Sequence, residues 1–185
     1  MQSRVRFPLP APLNKEIVMT TVVTAGGLAQ DLRGYDEDFK IFIAGGITNC
    51  RDWQQDFIEK IGEYPDVVMF NPRREEYIPS NGPEAVDQIS WEYQAMFHSD
   101  LVVFWFCKET LCPITLFELG KMLGQRKNVI VGSDLEYARL FDLNVQLRLE
   151  GYVGAFTDFD VFCNSVKGYI EDFQYELIYR RENHL

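Results

Sequence analysis

Apolar runs alternate along this chain with stretches whose apolar residues recur at helical spacing, and this alternation most constrains its fold. It predicts strands at 41–44, 67–70, 101–106, 128–131 and 152–156, and helices from about residues 51, 84, 115, 135 and 158. The strand 101–106 contains no polar residue, which indicates burial on both faces of a sheet. Because parallel strands need crossover connections, the alternation predicts an α/β fold, with a five-stranded parallel sheet between two layers of helices.

The N-terminal segment differs from the rest of the chain in composition. It is rich in proline and then mixed, so we interpret residues 1–37 as a partly flexible extension and residues 38–185 as one domain. Its prolines, Pro8, Pro10 and Pro12, interrupt the apolar core that a secretory signal needs. The longest apolar run, 101–107, is far shorter than the ~20 residues of a membrane span, so no membrane partner is expected.

Charge and cysteine content exclude several classes of function. The chain has 18 Lys and Arg against 28 Asp and Glu, a net charge of −10, which disfavours binding to a nucleic-acid polymer. Its four cysteines and two histidines form no CxxC pair and no Cys/His cluster, and this favours reduced thiols in the cytoplasm over a disulfide framework or a zinc ribbon. There is no GxGxxG and no GK[ST] motif, so we expect neither a metal nor a cofactor.

Loops that follow the predicted strands lie at the sheet edge where α/β proteins bind ligands. The first holds Gly45 and Gly46, which either form a tight turn or let the backbone approach a ligand. The next, residues 71–83, holds Arg73 and Arg74, which either bind a phosphate or carboxylate or pair with two adjacent glutamates. Its length favours a lid that closes over the ligand.

Three carboxylates lie near predicted element ends. Glu118, one turn into a helix and among apolar neighbours, either closes a capping box with Thr115 or acts as a nucleophile or general acid. Glu92 follows a tryptophan on the helix that enters the central strand. Asp100, at the junction between that helix and the strand, is typical of a turn.

Five short motifs follow one another along the predicted strands and helices. They are KIFIAGGI at 40–47, FNPRR at 70–74, ISWEY at 89–93, HSDLVVF at 98–104 and PITLFELG at 113–120. Each alone is weak, but together and in this order they resemble the nucleoside 2-deoxyribosyltransferase-like superfamily, over about residues 40–148. The branch with an Asn-Pro-Arg-Arg loop and a Glu-Leu-Gly helix is the most similar. The resemblance implies a flavodoxin-like, or Rossmann-like, three-layer sandwich.

The resemblance also implies a reaction. This is cleavage of the N-glycosidic bond of a (deoxy)nucleoside or nucleotide through a covalent glycosyl-glutamate intermediate, with transfer to another base. Glu118 corresponds to the nucleophile of the Glu-Leu-Gly motif, and Glu92 to the family's second catalytic carboxylate, which is aspartate in better-known members. Around these catalytic residues we predict substrate binding by Gly45, Gly46, Thr48, Asn71, Arg73, Arg74, Asp100 and Thr115.

One position departs from the family pattern. Six residues before the nucleophile, where better-known transferases carry aspartate, this chain has Cys112, which affects how the leaving base is protonated. Two alternatives therefore stay open: an N-glycoside hydrolase of nucleoside 5′-monophosphates, and a non-catalytic nucleotide-binding protein. The sugar-contacting residues that a neighbouring subunit donates in the family find no match after Arg148.

The expected partners are a small nucleoside or nucleotide and further copies of the chain. Family sites are completed across subunits, and a content of 14% aromatic residues leaves apolar surface to bury, so we predict a homo-oligomer. Four aromatic residues are candidates for stacking on a base: Trp53, Tyr77, Trp91 and Trp105.

Overall fold

The structure, a computed structural model, describes residues 20–25, 35, 38–74 and 82–182. Its strands are β1 (Thr21–Thr24), β2 (Phe39–Gly45), β3 (Val67–Asn71), β4 (Leu101–Phe106) and β5 (Val129–Ser133). Its helices are α1 (Trp53–Ile61), α2 (Pro83–His98), α3 (Pro113–Gly124), α4 (Leu140–Leu149) and α5 (Phe159–Glu182). The flexibility predicted for the extension and the lid predicted for the long loop concern residues that lie mostly outside these ranges. No helix in the described ranges is long and apolar enough to cross a membrane.

All paired strands run parallel, in the order β1-β3-β2-β4-β5. Ile41 of β2 lies opposite Met69 on one side and Leu101 on the other. The order β3-β2-β4-β5 is that of the first four strands of a flavodoxin-like sheet. The predicted α/β class, the five-stranded parallel sheet and the flavodoxin-like arrangement are therefore confirmed.

The fifth strand is not the predicted one. Residues 152–156 form a single parallel bridge beside β5 instead of a strand. Gly154 has a positive φ of 139°, and the side-chain oxygen of Asn144 accepts the amide of Ala155 at 2.8 Å, so this segment is bound to α4 and reaches the edge of β5 only at Phe156. The place of the fifth strand is taken at the opposite edge by β1, which lies within residues 1–37.

β1 is held by polar contacts as well as by pairing with β3. The Thr20 hydroxyl donates to the carbonyl of Gly62 at 3.0 Å and accepts the amide of Tyr64 at 2.8 Å. Along the strand Val22 is exposed and Val23 is buried, which is the alternation expected of a pleated strand. Four residues after a proline-rich stretch give too short a pattern to be recognised from the sequence.

Apolar side chains form one cluster on each face of the sheet. α2, α3 and α4 cover the face that carries Phe42, Val68 and Phe104. α1 and α5 cover the face that carries Ile41 and Val103. All six residues of β4 are at most 1% exposed, which confirms the burial indicated by their uninterrupted apolar sequence.

The helices begin one to five residues from their predicted starts, and α3 and α4 show the reason. α3 begins at Pro113, two residues before the predicted start, because proline suits the first helical position, and Cys112 in the left-handed region (φ 46°) precedes it. α4 begins at Leu140, five residues late, because the amide of Tyr137 bonds to the carbonyl of Asp134 in a turn.

Candidate active site

The carboxyl ends of β2, β3 and β4 lie side by side at one edge of the sheet. The chain leaves β2 through α1 on one face and leaves its neighbour β4 through α3 on the other. A crevice forms where connections diverge in this way, and it is the usual ligand site of open α/β sheets. The loops that begin after Gly45, Asn71 and Phe106 meet there.

Packing explains the glycine pair after β2. A Cβ on Gly45 would lie 2.4 Å from Trp53 Cζ2 and 2.5 Å from the carbonyl oxygen of Trp105, so only glycine fits. The carbonyl of Gly46 accepts hydrogen bonds from Trp53 Nε1 and Gln54 Nε2, both at 3.1 Å. The core therefore holds this loop in place, and contact of its outer surface with a ligand stays a prediction.

The Arg73 side chain binds residues at the start of α1. Its Nε donates to Gln54 Oε1 at 3.0 Å and lies 3.2 Å from Asp52 Oδ1, and its Nη2 donates to the carbonyl of Arg51 at 2.9 Å. The Arg73 amide donates to Asn71 Oδ1 at 3.0 Å. These contacts tie the loop after β3 to α1 and occupy most of the guanidinium donors.

Arg74 has a different environment. Its Nε is buried and has no hydrogen-bond partner among the described residues. Its charge opposes the rise that burial causes in the pKa of Glu92. A buried donor without a partner is costly, and an anionic ligand would satisfy it.

Glu92 and Glu118 come together where α2 packs against α3. The ammonium of Lys121 on α3 lies 3.9 Å from the ring centre of Tyr93 on α2, which joins the two helices. Gln88, one turn before Glu92, donates from Nε2 to Glu92 Oε1 at 2.7 Å and orients that carboxylate. Two acidic side chains from different helices thus share one partly buried location near the carboxyl edge.

The surroundings of both carboxylates favour their neutral forms. Burial, and then the charge of Glu92, raise the pKa of Glu118 to about 7 against the opposing effect of Lys121. Burial also raises the pKa of Glu92, while Gln88 and Arg74 oppose the shift. A carboxyl group with a pKa of about 7, as Glu118 has, exchanges its proton near neutral pH, which suits acid–base and nucleophilic chemistry.

The start of α3 excludes the capping-box interpretation of Glu118. The residue at the N-cap is Cys112, without a side-chain capping bond, so Thr115 is the third residue of the helix and Glu118 the sixth. A capping box needs the threonine at the N-cap itself. Glu118 therefore does not cap the helix.

Asp100 is not part of this arrangement. It precedes β4, at the opposite edge of the sheet, where its Oδ2 accepts the amide of Lys40 at 2.8 Å and lies 3.5 Å from the Lys40 ammonium. These bonds join the beginnings of β2 and β4, as expected of the turn residue that its position indicated. The structure does not bring Asp100 to the carboxyl edge, because that edge is formed by the other ends of the same strands.

The remaining predicted ligand residues do lie at the carboxyl edge. Asn71 ends β3 and is buried, Thr48 is exposed in the loop after β2, and Thr115 is buried in the first turn of α3. Of the aromatic residues predicted to stack on a base, Trp53, Trp91 and Trp105 are buried in the two apolar clusters and are not available to a ligand. Tyr77 lies outside the described residues.

One group of potential metal ligands occurs in the described ranges. Atoms of Cys107, Glu109 and Asp134 lie within 4.8 Å of one another. Asp134 already accepts the amide of Lys108 at 3.0 Å and Arg51 Nη2 at 3.4 Å, and burial raises the pKa of Cys107 and keeps its thiol protonated. Asp134 is thus already bound and Cys107 is a poor ligand, so we assign no metal to this group.

Two glutamines that the sequence did not single out support the site. Gln88 holds Glu92, and Gln54 links Gly46 to Arg73. The spacing of four residues between Gln88 and Glu92 is a helix-face signal that would have identified the first. No local pattern indicates Gln54, because its partners come from two other loops.

The chain was compared with known protein families. A family model described as nucleoside 2-deoxyribosyltransferase like matches residues 38–135, just over half of the chain. The matched range includes Arg74, Glu92 and Glu118. No curated protein matches the chain.

Proposed function

The chain belongs to the nucleoside 2-deoxyribosyltransferase-like family, and on that basis we propose that it cleaves the N-glycosidic bond of a (deoxy)nucleoside or nucleotide and transfers the sugar to another base. Glycosyl transfer or hydrolysis of nucleosides is the general chemistry that the family supports. Glu92 and Glu118 carry the proposal. They lie on two helices that contact each other, and the charge of Glu92 helps to raise the pKa of Glu118.

Glu118 is the nucleophile. Its carboxylate attacks C1′ of the sugar, the bond from C1′ to the base nitrogen breaks, and the electron pair leaves with the base. The product is a glycosyl ester on Glu118. Positive charge develops on the sugar ring in the transition state, and carboxylates stabilise that charge, as in retaining glycosidases. A second base then attacks C1′, the ester bond breaks, and Glu118 regains its charge.

Glu92 handles the proton. In its neutral form it donates to the departing base, and as a carboxylate it receives the proton that the incoming base loses. Burial raises the pKa of Glu92, which favours this exchange, and Gln88 fixes its orientation. Burial also raises the pKa of the Cys112 thiol, so Cys112 is a poor acid in place of the family's aspartate. Protonation of the base therefore falls to Glu92.

Cys112 also favours a second candidate function. Without the family's aspartate, the chain is either a hydrolase, in which water takes the place of the second base, or a protein that binds a nucleotide without cleaving it. Free base, a new nucleoside and an unchanged bound nucleotide are separable by chromatography. The three functions thus differ in what appears after incubation with a nucleoside or a nucleoside 5′-monophosphate, with and without an acceptor base.

Replacement of Glu118 by glutamine tests the proposal. Glutamine keeps the shape of the side chain and removes the nucleophile, so we expect the rate of base release to fall by at least ~1000-fold while substrate binding persists. Base release and binding are measured on the same preparations by chromatography and calorimetry.

A trapping experiment identifies the nucleophile directly. A slowly reacting 2-fluoro sugar analogue should leave a covalent adduct on the peptide that contains Glu118 of the wild-type protein. An adduct on another carboxylate, or wild-type turnover by Glu118→Gln, overturns the assignment of the nucleophile. Tight binding without any base release by the wild type supports the binding protein instead.

A further inference from the structure

Three aromatic rings lie around the ammonium of Lys121 on α3. Its Nζ is 3.9 Å from the ring centre of Tyr93, 5.5 Å from that of Phe97 and 6.0 Å from that of Phe117. The rings of Tyr93 and Phe97, both on α2, pack on each other with their centres 4.7 Å apart. A cation within about 6 Å of an aromatic ring is attracted by the negative face of that ring. The rings therefore hold the ammonium at the place where α2 and α3 meet.

This aromatic cluster lies beside the two carboxylates of the candidate site. Tyr93 directly follows Glu92 along α2, and Lys121 lies one turn after Glu118 along α3. Residues three apart on a helix are neighbours on its surface, with Cβ atoms about 5–6 Å apart. The contact between Lys121 and Tyr93 therefore joins the two helices at the level of both carboxylates.

The ammonium of Lys121 pairs with neither of these carboxylates. In the described part of the chain, the lysines that form ion pairs are Lys40, Lys60 and Lys108. Lys121 acts on Glu118 through its charge, without a hydrogen bond. A direct ion pair would neutralise Glu118 and cover the oxygen that attacks the sugar. The rings instead keep a positive charge near Glu118 and apart from it.

We propose that Lys121 is a positioning residue of the candidate active site, whose ammonium the aromatic rings hold beside the nucleophile and keep from pairing with it. The proposal rests on the proposed function in one respect, which is the role of Glu118 as the nucleophile. A positive charge one turn away favours the ionised carboxylate that attacks C1′. The other charged group that acts on Glu118 is Glu92 from α2, and Arg74 in turn acts on Glu92.

Two variants separate the charge of Lys121 from the rings that hold it. Lys121→Met keeps the apolar length of the side chain and removes the charge, so the pKa of Glu118 should rise above its value of about 7. Tyr93→Leu keeps the charge and removes the nearest ring, so the ammonium is free to pair with Glu118 and the pKa should fall. A residue that only stabilised the fold would not shift this pKa in opposite directions in the two variants.

NMR titration of the full chain, labelled with carbon-13 in its glutamate carboxyl groups, measures this pKa without a substrate. The signal of Glu118 is the one that Glu118→Gln lacks. We expect its midpoint to move up by at least ~0.5 pH units in Lys121→Met and down by a similar amount in Tyr93→Leu. Lys121→Arg, whose guanidinium also stacks on aromatic rings, should restore the wild-type midpoint. The matched control Lys60→Met removes an exposed cation from α1, on the other face of the sheet, and should leave the midpoint unchanged.

The pH profile of base release gives a second readout. Its acid side should follow the ionisation of Glu118, so at pH 6 we expect Lys121→Met to release base about threefold more slowly than wild type, with KM little changed. Midpoints that move in the same direction in Lys121→Met and Tyr93→Leu, or that move in neither, overturn the inference. If the proposed function fails, no base is released but the midpoints still move. If the inference fails, the midpoints stay in place while release of base still depends on Glu118.

Discussion

Glu118 is held in surroundings that oppose its charge. Burial is the larger cause, the carboxylate of Glu92 is the second, and Lys121 only partly offsets them, which leaves a pKa of about 7. A group of this kind costs stability where it is ionised, and reactive groups are commonly kept in such environments. The same side chain should therefore limit stability and support activity.

The pH dependence of unfolding measures this cost. In the unfolded chain Glu118 titrates near its ordinary value of 4.5, so between that pH and about 7 the folded protein holds a proton that the unfolded chain releases. Stability from this group is complete below pH 4.5 and is lost as the pH rises through about 7. Glutamine does not titrate. We expect the free energy of unfolding of Glu118→Gln, relative to wild type, to rise by about 3 kcal/mol between pH 4.5 and pH 8.

Chemical denaturation of both proteins at a series of pH values checks this expectation. A difference between variant and wild type that stays constant across the series would mean that Glu118 is not held in its neutral form by the fold. The measurement does not depend on a substrate, so it tests the electrostatics apart from the proposed reaction.

The two adjacent arginines should behave differently. Arg74→Gln removes the guanidinium with the unpartnered Nε, and we expect binding of a nucleoside 5′-monophosphate to weaken by about tenfold or more while the matching nucleoside is little affected. Arg73→Gln breaks the bonds to Gln54 and to the Arg51 carbonyl, and it should lower the melting temperature instead. Calorimetric titration with both ligands checks this, and equal losses for both in Arg74→Gln contradict a phosphate-binding role.

The position of the short strand β1 depends on the strand that it pairs with. Its register with β3 pairs Val22 with Met69 and Val23 with Phe70, and Val23 packs into the cluster covered by α2, α3 and α4. Nothing within four residues distinguishes such a strand from a loop. Its identity comes from the exposed edge of β3, which supplies the pairing partner.

Adjacent valines of β1 provide a matched test of this placement. Val23 is 5% exposed and Val22 is 39% exposed, so Val23→Asp buries a charge and Val22→Asp does not. We expect Val23→Asp to lower the free energy of unfolding by about 3 kcal/mol and Val22→Asp to change it by less than ~0.5 kcal/mol. Equal effects in urea denaturation would show that β1 does not pack on the sheet as described.

For the whole molecule, exposed apolar side chains bear on self-association. Phe117 on α3 is 69% exposed and Phe141 on α4 is 81% exposed, and both have exposed aliphatic neighbours. Apolar surface grouped in this way is typical of an interface. A net charge of −10 opposes association of identical chains, so an apolar contact has to outweigh that repulsion.

We expect the protein to be a homo-oligomer at micromolar concentration. Light scattering coupled to size-exclusion chromatography gives its mass, and Phe117→Glu or Phe141→Glu should shift it to the monomer, which also identifies the face that associates. A monomeric wild type contradicts the prediction. Exposed Val161 is a suitable control position, because α5 lies on the other face of the sheet from α3 and α4. If α3 or α4 forms the interface, Val161→Glu should leave the mass unchanged.

The sequence by itself determined the class of the fold. Six apolar residues without interruption in β4, and helical spacing between the strands, led to a buried parallel sheet with helices on both faces, as the structure has it. Each of these signals is local, because the buried face of a helix or strand appears as a regular spacing of apolar residues within that same element. The prediction of residues 152–156 as a strand was wrong because Gly154 and Asn144, in another element, redirect the segment.

Only the tertiary structure decided how the site residues relate to one another. Arg73 and Arg74 are adjacent and identical in type, yet Arg73 is bound to α1 and Arg74 has a buried Nε without a partner among the described residues. Asp100 and Glu92 are eight residues apart, yet Asp100 lies at the opposite sheet edge from the candidate site. The raised pKa of Glu118 depends on a carboxylate from a different helix. The spacing of apolar residues indicates which face of its own element a residue occupies. Charges and hydrogen bonds act between residues of different elements, and no local sequence pattern gives the distances between those residues.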